Sequence, residues 1–179
     1  MLVPACYSFV ARYRNAHNKK FRRVYNMTFD EKIKMLNDYA AAWYSSSQAD
    51  SIHEATFRAQ GFGKFADLCK EEAEEELEEA KKCTERVIAL GGKPVFGCVE
   101  QPVFSEILDL LKDWDTGFKE QKGVEELEKI ACSLADDSIT RKLVESFIEC
   151  ESDHRAWVAK HLCIIDKIGY ENYLIEQLG

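Results

Sequence analysis

The sequence predicts an all-α protein, an antiparallel four-helix bundle with a short C-terminal helix and a basic N-terminal extension. Three observations carry this expectation. The chain of 179 residues has only 3 prolines and 9 glycines, and its long runs are rich in Ala, Leu, Glu and Lys, which cost least in a helix. Four long segments with helical start and stop signals follow one another. No strand-type alternation and no repeat of solenoid length interrupts them. Long helices in one chain bury their apolar stripes against each other as an antiparallel bundle. At this length one domain, residues 30–179, is able to bury a proper core.

Residues 1–29 carry Arg12, Arg14, Lys19, Lys20, Arg22 and Arg23 and no acid. A basic, acid-free stretch with apolar and aromatic residues among its arginines has the composition of a mitochondrial targeting segment. Arg23-Val24-Tyr25 before Asn26 looks like a presequence cleavage site. The same composition also serves a docking arm that lies on an acidic partner or on anionic lipid.

The first helix is expected from about Thr28 to Gln60, capped by Thr28 or Asp30 and broken at Gly61-Phe62-Gly63. The second runs from about Lys64 to Leu90, where Gly91-Gly92 and then Pro94 end it. A connection through Gln101 leads to Pro102, a helix-opening residue, and the third helix is expected over 102–134. The fourth starts near Asp136 or Asp137 and ends at Gly169. The tail YENYLIEQL supplies the short amphipathic C-terminal helix.

All 32 acids lie from Asp30 onward, so the body is strongly acidic, which argues against a nucleic-acid-binding surface there. No run of about twenty apolar residues is present, and no transmembrane segment is expected. The seven cysteines are odd in number and form no Cys-x-x-Cys pair. That argues against a disulfide scaffold or a zinc ribbon and for a reducing compartment. No nucleophile-elbow glycine pattern marks a hydrolase.

The chemistry concentrates on two helices. The apolar stripe of the fourth runs Val144, Phe147, Val158 and Ile165, and steps of three and four carry it through Glu151 and His154. Buried unpaired charge costs several kcal/mol, so such a pair is exposed, salt-bridged or metal-bound. The second helix carries seven glutamates between Glu71 and Glu79. Its inward face, read back from Leu90 through Val87, Cys83 and Ala80, arrives at Glu79 and Glu76, while Glu75 and Glu78 turn to solvent. The alternative is a wholly solvated face, its glutamates pairing with Lys81 and Lys82 where they can.

ERVIALGGKP (residues 85–94), ESDHRAW (151–157) and IIDKIGYENYL (164–174), with a looser match in HEATFRAQGF (53–62), resemble segments of the ferritin-like superfamily, and of bacterioferritin most closely. The resemblance covers about Thr28 to Gly179. In that family four carboxylates and two histidines hold two irons inside the bundle. The resemblance implies that Glu76 and Glu151 bridge the metal, that His154 ligates it, and that Glu120 is the third-helix ligand, with Asp113 and Asp115 as neighbouring acids. Three positions depart from the family pattern. Glu79 stands where the second helix has histidine, and a carboxylate still suits iron. Trp43 stands where counting back from His53 places the first-helix glutamate; Asp50 lies two turns away and Asp38 more than a turn the other way. Leu77 replaces the methionine that ligates haem, so no haem is expected.

Two functions follow from this reading. One is an iron protein that binds one or two ions between Glu76, Glu79, Glu120, Glu151 and His154 and oxidises or stores iron in the mitochondrial matrix, with a degraded di-iron site. The other is a catalytically inactive helical subunit of a large mitochondrial complex, in which Trp43 fills the space of a metal. The partners are correspondingly copies of itself or the members of a hetero-oligomeric assembly.

Overall fold

The computed structural model describes residues 26–121 and 123–179. Most of the expected targeting segment or docking arm lies outside these residues, as does the side chain of Glu120. The described residues form six helical stretches: α1 (Phe29–Ala59), α2 (Gly63–Ala89), α3 (Ile107–Gln121), α4 (Gly123–Cys132), α5 (Ser138–Ile168) and α6 (Tyr170–Glu176). The protein is all-α, a four-helix bundle with a short C-terminal helix, and the described residues contain no strand.

Local chemistry sets the helix ends. Thr28 and Glu31 close a capping box at the start of α1, each side chain accepting from the other's backbone N–H. Asp137 caps α5 by accepting from the Thr140 N–H at 3.0 Å. Gly61, Gly91 and Gly169 close α1, α2 and α5 with φ of 89°, 81° and 83°, a region that residues with a Cβ rarely enter.

The third helix departs from expectation. It begins at Ile107 rather than Pro102, and its described residues fall in two stretches, α3 and α4, on either side of position 122. The chain's path explains the late start. α2 ends where Gly92 meets Ile33 near the beginning of α1, whereas α3 begins where Gln60 reaches the Ser105 carbonyl near the end of α1. The connection therefore spans the bundle lengthwise. An extended chain covers about 3.3 Å per residue against about 1.5 Å in a helix, and only the extended form reaches.

This strap lies along α1, and side chains of α1 satisfy its polar groups. Asn37 donates to the Lys93 carbonyl and accepts from the Val95 N–H; Ser45 Oγ accepts from the Val99 N–H; Ser46 Oγ accepts from the Gln101 side chain. The approach is close enough that a Cβ on Gly97 would stand 2.9 Å from the Ala41 Cβ. Buried serine and asparagine on α1, which no apolar stripe foretells, are there to pair this backbone.

The apolar interior is divided. One core gathers Met35, Leu36, Tyr39, Trp43, Val87, Leu134, Val144 and Phe147. The other gathers Phe57, Phe65, Leu110, Leu111, Trp114, Val158 and, from α6, Tyr173. The polar residues Asp50, His53, Glu76, Glu151 and His154 fall between them along α1, α2 and α5.

At the outer end of the first core, Arg86 donates to Thr140 Oγ1 and to Asp137 Oδ1, both at 2.8 Å, and Lys32 pairs with Asp136 at 3.0 Å. Burial would raise the Asp137 carboxyl, but hydrogen bonds from Thr140 and the nearby Arg86 and Lys32 hold it below its ordinary value. Asp137→Ala removes a helix cap and leaves Arg86 without its carboxylate partner, so it should destabilise the protein by about 2–4 kcal/mol in urea unfolding. A loss below about 0.5 kcal/mol would show the network to be solvated.

Candidate metal centre

Along α2 a buried stripe runs Cys69, Ala73, Ala80, Cys83 and Val87 in steps of three, four and seven. Glu76 occupies the gap in this stripe, and its Oε2 is buried without a hydrogen-bond partner. A carboxylate thus stands where the bundle's seam calls for an apolar side chain. On α5 the corresponding stripe holds Val144, Phe147, Glu151 and Val158, all buried.

Between the two cores lies a cavity of about 40 Å³. That is room for a few water-sized groups, since one needs about 10–15 Å³. Its walls bring together Asp50 of α1, Glu72 and Glu76 of α2, Asp113 of α3, and Glu151 and His154 of α5. Glu76 shares a hydrogen bond with Asp50. His154 packs edge-on against Trp114 and Phe118, with ring centres 4.8 and 5.3 Å away. Its Nδ1 lies 3.6 Å from Glu72 Oε2, and its buried Nε2 has no partner.

The electrostatics follow from crowding acids in a dry place. Burial, then the nearby Asp50, Glu75 and Glu151, push the Glu72 carboxyl up to about 8. Burial, Asp50 and Glu72 hold Glu76 well above the carboxylate range. Burial lowers His154 to about 4 against the pull of Asp50, so near neutral pH its ring is uncharged and keeps a lone pair. Burial raises Asp113, with His53 opposing. Such a set is suited to a cation, which discharges the acids and displaces their protons. The donors ring the cavity rather than converge: among the described residues no group of three or more His, Cys, Asp or Glu side chains stands in position to hold a metal ion.

Of the residues singled out in the sequence, Glu76, Glu151 and His154 line this cavity together. Glu79 does not. It is buried, but it pairs with Lys82 at 2.9 Å and faces a separate open recess of about 460 Å³, whose wall also includes Glu75, Glu78 and Asp153. The reason is axial. Ser47 of α1 donates to the Ala73 carbonyl of α2, which fixes the register of this hairpin. Three residues further along α1, Asp50 comes level with the turn containing Glu72; four residues back, Trp43 comes level with the turn containing Glu79. Asp50 therefore lies about two turns from Trp43, toward the end of α1, and both line the cavity.

Trp43 packs on Phe147 with ring centres 5.8 Å apart, and its indole N–H is buried without a partner. The first-helix acid at the cavity is Asp50, which the count from His53 passes over. Glu72, one turn before Glu76, was passed over too. One signal in the sequence was available: Asp50-Ser51-Ile52-His53 repeats, on α1, the acid-x-x-His spacing of Glu151 and His154. Leu77 lies on the outer side of α2, 36% exposed.

The ferritin-like domain family matches residues 33–168. Among curated relatives, a bacterial ferritin of Neisseria meningitidis serogroup B is 27% identical over 148 residues, 82% of this chain and 96% of that protein. A bacterial ferritin of Pseudomonas aeruginosa is 25% identical over 150 residues, 83% of this chain and 97% of its own length. A bacterioferritin of Mycobacterium bovis is 21% identical over 147 residues, covering 79% and 89% respectively.

Proposed function

Since the chain belongs to the ferritin-like domain family, we propose that it takes up iron(II) inside its bundle and stores it or oxidises it to iron(III), with dioxygen or peroxide accepting the electrons. The observation that carries this reading is the buried acidic layer, with Glu76 Oε2 and His154 Nε2 lacking partners. Iron is the substrate, and the donors are Asp50, Glu72, Glu76, Glu151 and His154. Glu120 and Asp113 are the candidates from the third bundle helix. Carboxylates favour iron(III) over iron(II), and a neutral imidazole suits both.

The side chains must close around the ion by rotation. Glu72 and Glu76 give up protons as it enters, and Asp50 is already tied in place by His53 at 2.9 Å. Glu75, Glu78, Glu79 and Asp153 make the outer recess attractive to cations. Because Glu72 and His154 line both the recess and the cavity, the recess is the approach we assign. Haem has no part in this proposal.

The basic residues 1–29 support placing this activity in the mitochondrial matrix, and the family supports a homo-oligomer as its form. A second reading, an inactive subunit of a hetero-oligomeric mitochondrial assembly, draws on Trp43 as an apolar plug in the core. Metal analysis with an iron(II) oxidation time course separates the two. The purified chain should carry iron and oxidise it, and Glu151→Ala should lose both. Equal, empty and inert samples would overturn the iron reading. Size-exclusion then distinguishes a large closed shell from a lone subunit.

A further inference from the structure

We propose that His53 is the positioning residue of the metal centre, holding Asp50 toward the cavity and tying it to the strap that crosses α1. The proposal rests on the iron reading above. His53 is 2% exposed and lies between the rings of Phe57 and Phe104, both stacked at 6.1 Å. Its Nε2 accepts the Phe104 backbone N–H at 3.0 Å. A nitrogen that accepts carries no proton, so the ring's proton sits on Nδ1, which donates to Asp50 Oδ1 at 2.9 Å.

The backbone of the strap thus selects the tautomer, and the tautomer makes the ring a donor to the carboxylate. With one oxygen engaged by His53 and Glu76 hydrogen-bonded to the same group, Asp50 has little freedom to turn away from the cavity. Ser46 also holds the strap and lines the cavity, but the strap-holding side chain hydrogen-bonded to one of the cavity's acids is His53. Outer-shell partners of this kind change metal affinity by about 10–100-fold when removed.

The test uses cobalt(II) binding to the full chain by calorimetry, beside urea unfolding of the metal-free protein. His53→Phe keeps the stacking and loses both hydrogen bonds; it should weaken cobalt binding at least tenfold. His53→Gln keeps a donor and an acceptor and should recover most of that loss, whatever the two variants do to stability. Equal binding by His53→Phe and the unsubstituted chain, with Asp50→Asn still defective, overturns the role of His53 alone. Failure of the unsubstituted chain to bind cobalt or iron overturns the site itself and this inference with it. Should His53→Phe not fold, nitrogen shifts of the His53 ring in the unsubstituted protein decide: a protonated Nδ1 and a bare Nε2 are expected, and the opposite tautomer refutes the proposal.

Discussion

Asp50→Asn is expected to abolish iron(II) loading while leaving the protein folded. Asparagine keeps an oxygen for the His53 N–H, which donates to Asp50 at 2.9 Å, so no buried donor is orphaned. What is lost is the negative charge and its basicity toward a cation. The loss should exceed the ~10–100-fold that removal of an outer-shell partner costs, because this oxygen is proposed to touch the metal. Asp50→Ala should behave worse on both counts, since it also strands the imidazole N–H at a cost of about 1–3 kcal/mol. Trp43→Phe is the contrasting substitution. It keeps the contact with Phe147 and removes an indole N–H that has no partner, so stability should hold or rise by up to about 1 kcal/mol. Iron titrations followed by gel filtration measure the loading. Full loading by Asp50→Asn would remove Asp50 from the ligand set and reopen the question of what α1 contributes.

The metal-free protein should become less stable as pH rises from about 6.5 to 8. Glu72 holds its proton in the folded state up to about 8, whereas in the unfolded chain it gives it up in the ordinary carboxylate range. Between those values the folded state binds more protons, so the slope of stability with pH is negative. The span corresponds to a cost on the order of 5 kcal/mol for a side chain that is only 20% exposed, comparable with the whole stability of many domains. Glu76, raised in the same direction, adds to it. Asp137 acts in the opposite sense: its lowered value contributes stability above the carboxylate range that is lost as pH falls through the folded value. His154, lowered to about 4, also contributes stability that grows as pH rises to about 6.5, so the net fall is expected above that value. Urea midpoints at pH 6.5 and pH 8 measure the fall, Glu72→Gln should remove most of it, and cobalt(II) should restore stability at pH 8. A flat profile would mean that the acidic layer is solvated.

The helices were legible because their ends are written in local chemistry. Thr28 with Glu31, Gly61, Gly91, Asp137 and Gly169 each act within one or two turns, and the expected bounds of α1, α2 and α5 agree with the structure within a residue or two. The strap was not legible, because its extended form answers to the distance between two bundle ends and not to the residues within it. Pro102 opens no helix; two residues on, the Phe104 N–H is committed to His53.

The metal centre divides in the same way. Periodicity identifies which face of a helix a residue occupies, and it placed Glu76, Glu151 and His154 on inward stripes. It does not identify the height at which two helices meet. That depends on the hairpin register, fixed here by Ser47 and Ala73, and it brings Glu72 rather than Glu79, and Asp50 together with Trp43, to the cavity.

The division of the interior into two apolar cores has a consequence for how the molecule opens. The two cores share no buried apolar residue, and the layer between them carries acids whose charges oppose one another's ionisation. Amide exchange in the metal-free chain would then show two plateaus of protection separated by a fast-exchanging waist on α1, α2 and α5. An ion held by all three helices would weld the halves, so that its arrival is felt at Met35 and at Tyr173 alike. The iron would be cargo and keystone at once.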